Sequence, residues 1–409
     1  MSKVIVIGGG AAGCIAAAFA SKSGNEVLLL EKNERVGKKV LITGKGRCNL
    51  TNDQTDINGL ISNVSHNGRF LYSAFSEFDA QDTKRLFEEL GVPLKVERGN
   101  RVFPQSDKAA DIVKALNKLI ILNNVKKITA EVKELIIKDG RVLGVRTKEG
   151  SEFYADSVIV CTGGRSYPKT GSTGDGYKFA LQAGHTLVPT RPSLVPLICR
   201  EGFCSEAMGL SLRNSAIKVI DTVSGKEIYS DFGEMLFTHF GVSGPMILSA
   251  SAHMDNMEKE RYEINIDLKP ALSKEKLDER LQRDLLENSN KALSNVLGLL
   301  LPRALINPII RLSRVKPSTK ANQLTKEERL RIVEKLKCLK LTVLDYGSFD
   351  EAVVTSGGVS CKEINPKTME SKLCKGLYFA GEVIDVDAYT GGFNLQIAFS
   401  TGYLAGKNA

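Results

Sequence analysis

Gly8, Gly10 and Gly13, in the run Gly8-Gly9-Gly10-Ala11-Ala12-Gly13, have the spacing of a turn that holds a pyrophosphate. The first glycine permits a tight turn, the second lets backbone approach a phosphate, and the third lets a helix pack on a strand. Glu31, 18 residues past Gly13, stands where a carboxylate accepts hydrogen bonds from a ribose hydroxyl. The elements that must position these residues are present in order. Val4-Ile5-Val6-Ile7 reads as a buried parallel strand, and Ala11 to Ala20 as a helix whose N-terminal N–H groups face the phosphates. Glu26 to Leu30 is a second buried strand that ends on Glu31. A secretory leader over residues 4–20 is the competing reading. Only Lys3 precedes the run, four glycines interrupt it, and the second strand follows at once.

Three further residues are of types that move protons. His239, between Phe237 and Phe240 in a glycine-rich turn, suits a structural hydrogen bond or general acid–base work. Tyr389, in Asp387-Ala388-Tyr389-Thr390-Gly391-Gly392, precedes a helix start and suits an acid placed over a ring. Cys48 beside Arg47 is either a thiol of lowered pKa or a small core residue. No Cys-x-x-Cys follows the first strand–helix–strand unit, which speaks against a paired-thiol mechanism.

Length and composition set the frame. The 409 residues are enough for two or three domains, and 42% hydrophobic with 25% charged residues is ordinary for a globular protein. The eight cysteines (14, 48, 161, 199, 204, 338, 361, 374) fit no zinc spacing, and the four histidines form no ligand cluster, so no metal is expected. Reduced thiols in the cytoplasm are the default for such a chain. The net charge of +9 is uneven: residues 271–340 carry 16 Lys+Arg against 8 Asp+Glu. Arg303, Arg311, Arg314, Lys316, Lys320 and Lys326 fall where no acid occurs from 288 to 326. This is either a solvated helical face or a surface that contacts RNA phosphates. Base stacking is not offered there, since no aromatic occurs from 291 to 340.

Along the chain, a glycine-rich loop spans 36–49, and residues 69–91 read as helical up to Gly91. Residues 95–103 read as a hairpin turning at Gly99-Asn100, 109–122 as a helix, and 126–160 as a β-meander ending in the buried strand Ser157-Val158-Ile159-Val160. Pro189, Pro192 and Pro196 mark a linker, with strand-like segments at 213–230 and 261–268. Strand character returns at 341–344, and Gly376 to Glu382 is a short strand and turn, with a helix starting near Gly392. The C-terminal strand–turn–helix repeats the N-terminal grammar. The expected fold is therefore an α/β, Rossmann-like domain made of residues 1–190 and 345–409, with 191–344 inserted.

Glycine-bearing turns follow three buried strands: Gly8 to Gly13, Thr162-Gly163-Gly164 after Val160, and Gly381 after Phe379-Ala380. Three such turns suit a long ligand lying across several strand ends, as FAD does. The whole chain resembles the HI0933-like (BaiN/RdsA-like) group of the glutathione-reductase-like FAD superfamily. The residues that carry the resemblance are Thr43-Gly44-Lys45-Gly46-Arg47-Cys48-Asn49-Leu50-Thr51-Asn52, Arg101-Val102-Phe103-Pro104, Gly171-Ser172-Thr173-Gly174-Asp175-Gly176 and Phe237 to Pro245. The run from Thr355 to Gly402 completes them.

That resemblance implies that Gly8, Gly10, Ala11, Ala12 and Gly13 face the FAD pyrophosphate and Glu31 its adenosine ribose. Arg47, Cys48 and Asn49 are placed near the pyrophosphate and isoalloxazine, the backbone of Val132 at the adenine, and Gly381-Glu382 at the ribityl phosphate. Gly392, Phe393 and Asn394 open a helix whose dipole stabilises negative charge on the reduced flavin. Lys32, Lys38, Thr43, Gly46, Thr162 and Gly163 complete the implied contacts. Lys38-Lys39 departs from the Gly-Gly often found there, which puts the local phosphate contacts in question. The insert is implied to be a β-barrel-like part (191–270) followed by a basic helical subdomain (271–340).

The implied activity is FAD-dependent reduction of a carbon–carbon double bond conjugated to a carbonyl. NAD(P)H is the implied donor, binding transiently because no second G-x-G-x-x-G is present. Members of the family are linked to an unsaturated steroid ketone and to a uracil in ribosomal RNA, which share that bond. The charge of residues 271–340 inclines the reading to RNA. A small-molecule enone reductase, and a flavin-bound RNA-binding or assembly factor without turnover, stand beside it.

Overall fold

Short apolar runs rich in valine, isoleucine and leucine, buried on both faces, build the inner strands of the central sheet, as parallel strands covered on both sides require, while the edge strand Lys126–Thr129 is largely exposed. The computed structural model describes all residues, 1–409, in two compact units: Met1–Ser193 with Ser348–Ala409, and Leu194–Gly347. The expected breaks, at 190/191 and 344/345, each lie three residues from these.

In the first unit, β1 (Lys3–Ile7), α1 (Ala11–Lys22) and β2 (Glu26–Glu31) form a parallel strand–helix–strand unit with Val4 opposite Val27. After β3 (Thr51–Asn52) come α2 (Ile57–Ile61), α3 (Tyr72–Glu77) and α4 (Ala80–Glu89). The single helix expected over 69–91 is broken at Phe78, which is extended. Asp79 accepts hydrogen bonds from the Gln81 and Asp82 N–H groups while Asp82 reaches back to the Asp79 N–H. This capping box starts a new helix where periodicity alone reads through. β4 (Leu94–Glu97) and β5 (Arg101–Pro104) form the expected hairpin, and α5 (Ala109–Leu122) the expected helix.

The meander expected over 126–160 is smaller than read. Only β7 (Val132–Lys138), β8 (Arg141–Thr147) and β9 (Glu152–Tyr154) pair as one. β6 (Lys126–Thr129) instead joins β2 in parallel, and β10 (Ser157–Val160) joins β1. α6 (Asp175–Gln182) and β11 (Leu187–Ser193) then lead out of this unit.

The second unit contains β12 (Leu197–Cys199), α7 (Phe203–Glu206), β13 (Ser211–Asp221), β14 (Lys226–Phe237), β15 (Gly241–Ser243), α8 (Pro245–Ser251) and β16 (Tyr262–Asp267). α9 (Lys274–Glu287), α10 (Leu293–Leu297), α11 (Arg303–Leu312), α12 (Lys326–Lys337) and β17 (Leu339–Tyr346) complete it. The strands close a barrel in the order β12-β15-β14-β13-β16-β17. The helical part therefore does not follow a finished barrel, as expected. It is inserted between the last two strands, because β17 pairs with both β16 and β12.

Back in the first unit, β18 (Val354–Val359) pairs with β11, and β19 (Leu377–Phe379) completes the parallel sheet, in the order β19-β10-β1-β2-β6. The chain ends in α13 (Phe393–Asn408), which packs on α1. Gly402 sits on the Ala12 carbonyl and Gly406 on that of Ala16, so bare backbone meets bare backbone and the two helices run in the same direction. No helix is long and apolar enough to cross a membrane.

Candidate active site

Each glycine of the first turn is bare for a different reason. Gly8 has φ +97°, and a Cβ there would stand 2.7 Å from the Cys161 carbonyl oxygen. A Cβ on Gly13 would collide with the Gly8 carbonyl. The protein's own packing thus requires both. Gly10 has an ordinary φ of −80°, and a Cβ would meet nothing within 4 Å. Its missing side chain leaves open space in front of the α1 N-terminus, which has no side-chain cap. The N–H groups of Ala11, Ala12 and Gly13 face that space as an anion site.

Glu31 is 7% exposed and firmly held. Its Oε2 accepts the Gly9 N–H at 2.6 Å, and its Oε1 accepts the Asn33 N–H and side-chain Nδ2, each at 2.7 Å. Its carbonyl takes the Ala130 N–H at 3.0 Å, which brings the start of β7, with buried Val132, to the same edge. Lys32 is committed to Thr173 (2.6 Å) and Asp175 (2.7 Å), and Lys38 donates to Asn33 at 3.3 Å.

The loop after Val40 turns sharply, with positive φ at Gly44, Lys45, Gly46 and Cys48, and the Thr43 carbonyl accepts the Cys48 N–H at 3.0 Å. Two expectations change here. Arg47, implied to face the pyrophosphate and isoalloxazine, has its guanidinium taken by Glu97 (2.5 Å) and Asp107 (2.6 Å) and lying 4.1 Å over the Phe103 ring. It clamps the loop to the β4–β5 hairpin. Cys48 is fully buried, and burial pushes its thiol up to about 12, with a weaker downward pull from Thr43. A thiol of lowered pKa is therefore overturned: the charge of Arg47 is spent on the two carboxylates.

Asn49 faces the start of α13. Its carboxamide lies 3.1 Å from the Gly392 N–H and 3.2 Å from the Thr51 carbonyl, which assigns Oδ1 to the former and Nδ2 to the latter. Gly392 has φ +100°, and a Cβ there would strike Thr51. No side chain caps α13, so the N–H groups of Phe393, Asn394 and Leu395 are presented outward. The side chain of Asn394 is turned away: it accepts the Ala388 N–H at 2.9 Å and donates to the Ala388 carbonyl at 2.6 Å. The ring of Phe393 is buried, so both residues offer backbone here.

At the other turns, Gly163 and Gly381 have positive φ, and the Gly381 N–H donates to Thr401 Oγ1 at 2.9 Å. The Thr162 hydroxyl is buried against Gly176 at the start of α6 and has no hydrogen-bond partner. Glu382 is already engaged by Lys39 (2.7 Å), Ser166 (2.8 Å) and the Thr355 N–H (2.8 Å). Sequence reasoning missed this cluster. It also missed Gln396, which accepts from Thr51 and Thr83 and donates to Phe78 O and Ser400, tying α13 to β3 and α4. The signal was legible: Gln396 and Ser400 are polar at i,i+4 on a buried face.

Tyr389 is half-buried, in the loop that leads into α13, with its N–H on the Asn63 carbonyl at 3.0 Å. His239 belongs to the second unit, exposed in the turn between β14 and β15, with its ring edge on Phe240.

The two uncapped N-termini have a fixed offset. Gly402 is level with Ala12, so Phe393 lies eight residues before the level of Ala11, and at 1.5 Å per residue the α13 N-terminus projects about 12 Å beyond that of α1 on its N-terminal side. This pair of anion sites suits a ligand with a pyrophosphate at one place and a group that takes up negative charge well beyond it. Residues 2–408 match the family described as the HI0933-like protein Rossmann domain.

The chain belongs to the HI0933-like family. It is an FAD-binding oxidoreductase. It is 33% identical over 413 residues to a 3-dehydro-bile acid delta(4,6)-reductase of Clostridium scindens, covering 100% of this chain and 99% of that one. It is 32% identical over 412 residues to a ribosomal RNA dihydrouridine synthase of Haemophilus influenzae, covering 98% and 97%. A 3-ketosteroid-delta4-(5alpha)-dehydrogenase from Rhodococcus jostii RHA1 shares the fold at TM-score 0.50 and 15% identity, over 100% of this chain and 96% of that one.

Proposed function

We propose that the protein reduces a carbon–carbon double bond conjugated to a carbonyl, with uridine in ribosomal RNA as its substrate and NADH or NADPH as a donor that docks transiently. The offset pair of uncapped helix N-termini is the observation that carries the flavin half of this reading. When bound, FAD supplies a hydride to the carbon remote from the carbonyl. The Ala11, Ala12 and Gly13 N–H groups hold the pyrophosphate in the space left by Gly10. Glu31, kept rigid by Gly9 and Asn33, orients the ribose with its remaining lone pairs. The N–H groups at 393–395 stabilise the charge of the reduced ring.

The relatives' two substrates, a bile acid and an RNA base, contain the same conjugated unit, which supports one chemistry behind both names. Support for RNA comes from the second unit. Arg303, Arg311, Arg314, Lys316, Lys320 and Lys326 are all exposed, and Glu206 partly neutralises only Arg311 among them, at 2.6 Å. A phosphate backbone suits such a surface, in the cytoplasm where the free thiols stay reduced. A steroid-like enone is the second reading, favoured by the 33% identical relative.

Deleting the gene and measuring dihydrouridine in ribosomal RNA by mass spectrometry tests the substrate. Loss of one dihydrouridine is expected, and an unchanged profile would turn the reading to the small enone.

A further inference from the structure

Glu382 follows the glycine of the turn after β19, and three other chain segments converge on its carboxylate. Oε2 accepts from the Lys39 ammonium at 2.7 Å, and Oε1 accepts from Ser166 Oγ and the Thr355 N–H, each at 2.8 Å. Lys39 also donates to Ser166 Oγ at 2.5 Å. Gly164 has to be bare to admit this cluster, since a Cβ there would stand 2.5 Å from Thr355 Oγ1 and 2.9 Å from Glu382 Oε1. The Lys39 side chain is 22% exposed and that of Glu382 19%, so water screens the two charges only in part.

The backbone ties both members of the pair to the first glycine turn. Two residues before Lys39, the Gly37 N–H donates to the Gly9 carbonyl at 2.8 Å, and a Cβ on Gly9 would stand 2.8 Å from Val36 Cγ1. One residue before Glu382, a Cβ on Gly381 would stand 2.9 Å from that of Ala12, in the first turn of α1. A carboxylate held so near an anion site opposes the anion unless a cation offsets it. Lys38-Lys39 stand where Gly-Gly is often found, and Lys38 is turned to Asn33 at 3.3 Å. Of the two lysines, Lys39 is the one that brings its charge to Glu382.

We infer that Lys39 is a positioning residue for FAD, which neutralises and fixes Glu382 so that a pyrophosphate can bind beside a carboxylate. The inference rests on the pyrophosphate placement at the α1 N-terminus proposed above. An unpaired Glu382 would set one negative charge beside those of the two phosphates, a repulsion that salt weakens. Paired with Lys39, the carboxylate adds no net charge, and Ser166 and the Thr355 N–H keep it from swinging toward the ligand.

The test titrates FAD into the apoproteins of wild type, Lys39→Met, Glu382→Gln and the double variant, with the Tm of each apoprotein measured alongside. Lys39→Met is expected to weaken FAD at least about 10-fold, with an apoprotein Tm near that of wild type. In the Glu382→Gln background the same substitution should change the affinity by no more than about 2-fold. Raising NaCl from about 20 to 300 mM should recover part of the loss in Lys39→Met, because salt screens Glu382 from the phosphates, whereas a purely structural loss is not relieved in this way. Lys39→Gln, which can still hydrogen-bond Ser166, serves the same comparison if Lys39→Met does not fold. Wild-type affinity in Lys39→Met overturns the inference, as does a loss that persists in the Glu382→Gln background or is unmoved by salt. Gly10→Ala tests the placement itself: if it leaves FAD affinity unchanged, the placement falls and the inference with it. If Gly10→Ala weakens FAD and Lys39→Met does not, the inference alone falls.

Discussion

Gly402 of α13 rests on Ala12 of α1 so closely that a Cβ on Gly402 would stand 2.5 Å from the Ala12 carbonyl oxygen. This contact sets how far the α13 N-terminus projects beyond the first glycine turn, and so where the two ends of the cofactor are held. Substituting Gly402→Ala forces the helices apart. Overpacking costs about 1–3 kcal/mol, offset by roughly 1 kcal/mol of better helix propensity. A lower Tm and faster FAD release are expected, read by thermal melts and flavin fluorescence. A variant more stable than wild type would show that the contact does not set the spacing.

Gly10 and Gly13 separate ligand space from packing space. Gly10→Ala should leave apo stability within about 0.5 kcal/mol yet weaken FAD roughly 10-fold or more, since a methyl there meets no protein atom. Gly13→Ala should fail to fold, because its Cβ meets the Gly8 carbonyl. Titrating FAD into refolded apoprotein checks both, and full FAD affinity in Gly10→Ala would contradict the placement.

Much of this half-site was legible because it is local. β1, the glycine turn, α1 and β2 follow one another within residues 3–31, and strand periodicity, turn glycines and Glu31 agree with one another. α5 and the β4–β5 hairpin were legible for the same reason. Contacts between distant residues were not. Arg47 meets Glu97 and Asp107, 50 and 60 positions away, and His66 meets Asp387 across 321. The pairing of β17 with β12, which puts the helices inside the barrel's strand order, is likewise invisible to any local window. The break at Phe78 was missed for a different reason: Asp79 and Asp82 have capping-box spacing, but the apolar face continues through them.

Cys48 should be inert. Burial and a thiol raised to about 12 leave almost no thiolate at neutral pH. Iodoacetamide applied to the native protein near about pH 8 should leave Cys48 unmodified by peptide mass mapping, with labelling only after denaturation. Rapid native labelling would return Cys48 to the list of reactive groups.

His185 links the first unit's stability to pH. It is buried, with Nε2 2.7 Å from Ser371 Oγ and Nδ1 3.2 Å from Glu363. Burial holds its pKa below the ordinary value, against an upward pull from Glu363. The unfolded chain therefore binds the proton first. Stability is fully present above about pH 6.5 and is lost as pH falls toward the folded-state pKa. Urea titrations between about pH 8 and 5 should show this slope, and His185→Asn should flatten it. A stability that rises on acidification over the same window would contradict the buried neutral ring.

The central claim is that this flavoprotein reduces a conjugated double bond, and the most direct measurement follows that bond. The FAD-loaded protein is incubated anaerobically with NADH or NADPH, then given ribosomal RNA prepared without dihydrouridine or, separately, a 4,6-dien-3-one bile acid. The account predicts reoxidation of the flavin together with a gain of two hydrogens in one of the two substrates, seen by mass spectrometry. A flavin that stays reduced with both, and substrates of unchanged mass, would contradict it.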